Sequence, residues 1–164
     1  MSDKLKTLND LLHEQLRDLY SAEHQLLDVM PDMVSAAKDA RLKHAFETHL
    51  QQTRNHVARL EQIGQGMNLD LKGHKCKAME GLLKEGDDMI HEDATDEVID
   101  AGLIASAQRV EHYEIAGYGT AAHYAERTGN PETAELLRQT LKEEQDTDTS
   151  LNQLAKSYIN AKAM

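Results

Sequence analysis

Four long stretches of this chain carry apolar residues at spacings of three and four, the period of an α-helix. In the first, from about Lys4 to Ala37, the residues Leu5, Leu8, Leu12, Leu16, Leu19, Leu26 and Met30 fall on that period. Pro31 is expected to kink or shorten this helix. Asp39 reads as the cap of a second helix, which runs to about Gln65 with Leu42, Phe46, Leu60 and Ile63 on one face. Gly64 and Gly66 end it. A third long helix spans about Asp96 to Thr128 and is rich in Ala. Gly129-Asn130-Pro131 stops it and starts a fourth, which reaches about Ala161. Between the second and third lie a Gly-containing loop, a short helix from Lys77 to His91, and an acidic turn from Glu92 to Asp96. With 2 Pro and 9 Gly in 164 residues, turn residues are too few for a loop-rich β fold.

Lengths set the architecture. Helices of this size are ~40–50 Å long at 1.5 Å per residue. Tight turns make an antiparallel hairpin of the first pair and another of the last pair. The middle connection is long enough to return the chain over the length of both. The expected fold is all-α: a single domain over residues 1–164, built as a four-helix bundle with one long crossover carrying a short extra helix.

Each helix can then be written as a seam facing the core. The first seam reads Leu12, Leu16, Leu19, Glu23, Leu26, Met30, and the second Leu42, Phe46, His49, Thr53, His56, Leu60, Ile63. The third reads Ile104, Ala107, Glu111, Glu114, Tyr118, Ala121, and the fourth Leu137, Leu141, Glu144, Asp148, Leu151. Every seam is apolar, then polar for one or two turns, then apolar again. Measured from its own inter-helix turn, each polar stretch lies ~23–26 Å along the bundle. Four or five carboxylates and one or two imidazoles therefore converge near mid-bundle.

Taken singly these residues have bland readings. A lone Glu on a seam is commonly a helix-edge residue that reaches water, and a core His is commonly just hydrogen-bonded. The coincidence across four helices is what demands more. An ionised carboxylate in such a core costs several kcal/mol unless paired, and no Lys or Arg occupies these seams. Protonation, trapped water or a bound metal remain. Carboxylate and imidazole donors suit iron or manganese.

Charge excludes other classes. Lys and Arg number 18 against 29 Asp and Glu, a net charge of −11. That repels phosphate backbones and anionic membrane surfaces, so no nucleic-acid or membrane partner is expected. No stretch is apolar for long enough to span a bilayer. Cys76 is the single cysteine, which rules out an internal disulfide and a thiolate metal cluster within one chain. The opening Met-Ser-Asp-Lys-Leu-Lys lacks the apolar region of a secretory signal, so a cytoplasmic location is expected.

The string Leu19-Tyr20-Ser21-Ala22-Glu23 resembles the first-helix motif of the YciE/YciF-type bacterial stress proteins, which are ferritin-like. His49-Leu50 with Thr53, Lys77 to Leu82, Val110 to Ala116 with Tyr118-Gly119-Thr120, and Glu143-Glu144 with Asp148 resemble the same family. The resemblance covers nearly the whole chain. It implies a ferritin-like fold, a role in stress responses and a homodimer, and it carries no established activity. The wider ferritin and rubrerythrin group implies ligands at Glu23, His56, Glu111, Glu114 and Glu144. Where that group carries two further ligands this chain has Thr53 and Thr147, and His49 and Asp148 are the neighbours able to substitute. The resemblance thus implies up to two metal ions per chain. One expected function is a non-haem oxidoreductase acting on a small oxidant such as peroxide or O2, or on Fe(II). The other is a non-enzymatic dimeric stress protein with a relict or weak metal site, an exposed apolar stripe on the helix from Met79 to Ile90 serving a partner.

Overall fold

The structure, a computed structural model, describes residues 5–164. Five helices account for most of it: α1 (Leu8–Ala36), α2 (Ala40–Gly66), α3 (Lys77–Ile90), α4 (Asp96–Arg127) and α5 (Pro131–Leu154). No strand occurs among the described residues. α5 continues through a π-helical turn, Ala155–Ile159, into one last helical turn, Asn160–Lys162.

α1 starts later than the apolar period implies. Leu5 and Leu8 are exposed, and Lys4 lies outside the described residues. The start is set by a capping box. Thr7 Oγ1 accepts from Asp10 N at 3.1 Å, while Asp10 Oδ2 accepts from Thr7 N at 2.9 Å. Pro31 does not end α1, which runs on to Ala36. Asp39 caps α2 as expected, accepting from Arg41 N at 2.9 Å. Gly129 adopts φ +80 after α4, where a side chain would be strained, and Pro131 opens α5.

The four long helices form a ring in which α1 and α5 each pack against both α2 and α4. The two hairpins are joined by the crossover, and α3 lies against α1 and α4. This is the ferritin-like four-helix bundle with one long crossover carrying a short extra helix. α3 does not present an apolar stripe to solvent. Met79, Leu83 and Cys76 are buried against Ala22, Leu26, Met30 and Val110, so its apolar face is spent on the bundle.

An aliphatic cluster fills each end. One holds Leu12, Leu16, Leu60, Ile63, Ala125 and Leu137; the other holds Leu42, Phe46, Leu103, Ile104 and Leu151. Between them lies a polar layer to which all four long helices contribute. On α5 the inward stripe runs Leu137, Thr140, Glu144, Leu151, with Leu141 and Asp148 only partly buried. The expected seam placed Leu141 and Asp148 inside. A step of three after Leu137, instead of four, turns the stripe by about one residue, or ~100°.

Candidate metal centre

Glu23 comes from α1, His49 and His56 from α2, Glu111 and Glu114 from α4, and Glu144 from α5. All six are buried, Glu23, His56, Glu114 and Glu144 completely. Their donor atoms fall into two groups within which the atoms lie inside 4.8 Å of one another. The first holds His49, Glu111, Glu114 and Glu144; the second holds Glu23, His56 and Glu144. Glu144 belongs to both. Its Oε2 lies 3.8 Å from His49 Nε2, and its Oε1 lies 2.9 Å from His56 Nδ1. His49 Nε2 is 3.1 Å from Glu111 Oε1, and His56 Nδ1 is 3.3 Å from Glu23 Oε1.

These separations are close, yet the atoms are not aligned as hydrogen bonds. Among the described residues, every buried side-chain N or O without a hydrogen-bond partner belongs to these six side chains, including both oxygens of Glu114 and of Glu144. Leaving even one such atom unpaired costs ~1–3 kcal/mol. The fold has gathered unpaired donors at one point, and their lone pairs face one another.

The electrostatics follow from burial and crowding. Burial, then the neighbouring carboxylates, pushes Glu111 and Glu114 well above the ordinary carboxyl range, and burial raises Glu23. Burial also lowers His49. His56 goes the other way. Burial opposes its charge, but Glu144 and Glu23 beside Nδ1 outweigh that and lift it to about 10. Burial likewise opposes the Glu144 carboxylate, yet His56 and His49 hold it below its usual value. Without a cation the layer thus favours a positive charge on His56 beside Glu144 and Glu23, and disfavours the ionised forms of Glu111 and Glu114.

A second ring of residues fixes the first. Tyr118 OH donates to Glu23 Oε1 at 2.5 Å. His56 Nε2 meets Glu143 Oε2 at 2.8 Å, which leaves Nδ1 facing inward. Arg59 reaches the same carboxylate from one turn along α2, with Nη2 3.2 Å from Glu143 Oε1. Thr53 is fully buried and spends its hydroxyl on the His49 carbonyl at 3.0 Å. Asp148 is not brought into either group. Its Oδ1 accepts from Gln108 Nε2 at 3.0 Å and its Oδ2 lies 3.3 Å from His112 Nε2, on the rim between α4 and α5. The rotated α5 stripe accounts for that. Glu143 and Arg59 escape a reading of seams, because long side chains act from the helix edge. The pairing of a basic residue three after His56 with Glu143 was the available signal.

Long antiparallel helices around buried carboxylates and imidazoles define an all-α bundle protein of the ferritin-like class. Within that class the chain belongs to the DUF892 family, described as a domain of unknown function, whose model matches residues 7–164. It is 44% identical over 160 residues to Protein YciF of Escherichia coli K12, covering 97% of this chain and 96% of the relative. The crystal structure of the E. coli stress protein YciF superposes with a TM-score of 0.91 at 43% identity, covering 95% of this chain and 99% of that one. YcfI of Rhodopseudomonas palustris superposes with a TM-score of 0.89 at 38% identity, covering 93% and 97% of the two chains.

Proposed function

We propose that the buried layer holds iron or manganese, up to two ions per chain, and that this protein is a stress-response oxidoreductase acting on peroxide, dioxygen or Fe(II) as a cytoplasmic homodimer. The observation that carries the reading is the set of unpaired donors. A folded protein leaves few buried polar atoms unmatched, and among the described residues they are confined to six side chains in two groups sharing Glu144. His49, Glu111 and Glu114 would hold one ion, Glu23 and His56 the other, with Glu144 offering an oxygen to each. Hard carboxylate oxygens with imidazole nitrogen favour iron and manganese over metals that prefer thiolate.

When bound, such ions supply one-electron redox chemistry and polarise a small oxygen-containing ligand. The chain supplies orientation and dryness. Tyr118 fixes one rotamer of Glu23, and Glu143 fixes the ring of His56. Aliphatic clusters above and below the layer exclude water. The stress role is carried over from the E. coli relative, which is called a stress protein.

The test is elemental analysis after anaerobic loading with Fe(II) or Mn(II), beside a Glu111→Ala/Glu144→Ala control. About two ions per wild-type chain and none in the control is expected from two donor groups. A ratio near zero in folded wild type overturns the reading. That result would favour a non-enzymatic stress protein with a relict site, for which the observation is that Thr53 and Asp148 spend their side chains elsewhere.

A further inference from the structure

A small void lies against the polar layer on the side of the α1–α2 turn. Its volume is about 20 Å³, enough for one molecule the size of water or dioxygen. Met30, Met33, Phe46 and Ala107 form its walls, and its floor is His49 and Glu111. On the outer face of the bundle, a groove of about 300 Å³ runs between α2 and α5, past His44, Gln52 and Ser150. Groove and void share three residues, Ala45, Thr147 and Leu151. Ala45 and Thr147 are small and only half-buried. The partition between solvent and the His49–Glu111 edge of the layer is therefore three side chains, the buried Leu151 and the two small ones, Ala45 and Thr147, which are its thin part.

We propose that this groove and void are the access path by which dioxygen reaches His49 and Glu111, with Ala45 and Thr147 forming its neck. The purpose of the path rests on the metal reading above; its existence does not. The void selects for chemistry as well as size. Above its polar floor the walls are carbon, from Met30, Met33, Phe46 and Ala107, so a peroxide molecule passing them would give up hydrogen bonds to water before it reached His49 and Glu111. Dioxygen has none to lose. Thr147 marks why the path exists. Its hydroxyl donates back to the Glu143 carbonyl at 3.1 Å and stands 3.4 Å from His49 Nδ1, so it fills less of the space beside the layer than a ligating side chain would.

The experiment has two arms. The first uses metal-free protein and methyl NMR under dissolved oxygen at raised pressure, where paramagnetic relaxation reports contact with O2. The methyls of Met30 and Ala107 are expected to relax several-fold faster than those of Ala122 and Ala134, which are likewise buried, at the other end of the bundle. Equal relaxation at both ends overturns the proposal. Ala45→Leu, or Thr147→Leu where the first does not fold, is expected to bring Met30 and Ala107 down to the Ala122 level. Unchanged relaxation in a folded plug variant also overturns it.

The second arm follows Fe(II)-loaded protein, where two ferrous ions give two electrons to one O2, which takes up two protons and leaves as hydrogen peroxide. Ala45→Leu with iron uptake equal to wild type is expected to slow oxidation by O2 about tenfold and oxidation by added peroxide far less. Equal slowing by both oxidants overturns the selection for dioxygen. Strong relaxation in the first arm with no iron uptake in the second supports the path and removes the metal reading.

Discussion

Six side chains share one shortage. Glu111, Glu114 and Glu23 are raised by burial, and His56 is raised to about 10 by the carboxylates at its Nδ1. Each raised group binds more protons in the folded chain than in the unfolded one between its two values. Stability of the metal-free protein therefore falls as pH climbs through that window. For the carboxyls the window opens above 4.5, and for His56 it runs from 6.5 to about 10. Above pH 6.5, where the lowered His49 no longer acts in the opposite sense, the urea midpoint of metal-free protein is expected to drop up to pH 9, and Glu111→Gln/Glu114→Gln to flatten the slope. A midpoint that rises with pH over that range in wild type contradicts the assignment. The positions of these residues were readable in the sequence, because each polar stretch lies at one distance from its own turn. Their partners were not. Tyr118 stands on the seam as one more aromatic, and only the approach of α1 shows its hydroxyl on Glu23. α1 comes close there: a Cβ on Gly117 would meet Leu19 Cδ2 at 2.8 Å, so the Leu19 side chain would have to turn aside.

At the scale of elements, helix existence was legible and helix rotation was not. Period and caps locate α2, α4 and the start of α5 within a residue or two, since Asp39, Gly129 and Pro131 act locally; the end of α5 at Leu154, with a π-helical turn before the last helical turn, carries no such signal. The face α5 turns inward depends on what it packs against, and a one-residue choice moved Leu141 and Asp148 to the rim. Asp100 is a second case of an effect that no local pattern carries. It sits in the first turns of α4, yet its Oδ1 and Oδ2 accept from Lys38 N and Asp39 N, each at 2.8 Å. One buried carboxylate thus clamps the α1–α2 turn to α4. Asp100→Ala leaves two backbone donors without a partner and is expected to lower the unfolding free energy by about 2–4 kcal/mol. Chemical denaturation of the metal-free variant checks this. A loss under 0.5 kcal/mol would mean that water replaces the carboxylate.

For the molecule as a whole, the polar layer lies between the two apolar ends of the bundle, and α3 closes a third apolar cluster at its side. A ligand that satisfies the layer binds only the folded chain, so it stabilises by mass action, about 2.7 kcal/mol at a hundred times its dissociation constant. Calorimetry is expected to show the unfolding midpoint rising with added Fe(II) or Mn(II) under anaerobic conditions, and to show no rise in Glu111→Ala/Glu144→Ala. An equal rise in both would place the binding at surface carboxylates.

The crossover gives a way to ask whether this whole unfolds as one unit. Cys76 caps α3 with its sulfur accepting from Met79 N at 3.4 Å, is fully buried, and takes up the Ser21 hydroxyl through its own N–H at 2.9 Å. Tyr113 and Asp18 close over the thiol. The sole sulfhydryl is therefore a sealed clock: a thiol reagent can strike it only when α3 lifts. Labelling under native conditions is expected to proceed at a rate set by local opening, with a free energy below that of global unfolding. Identical values would mean that crossover and bundle come apart in a single event.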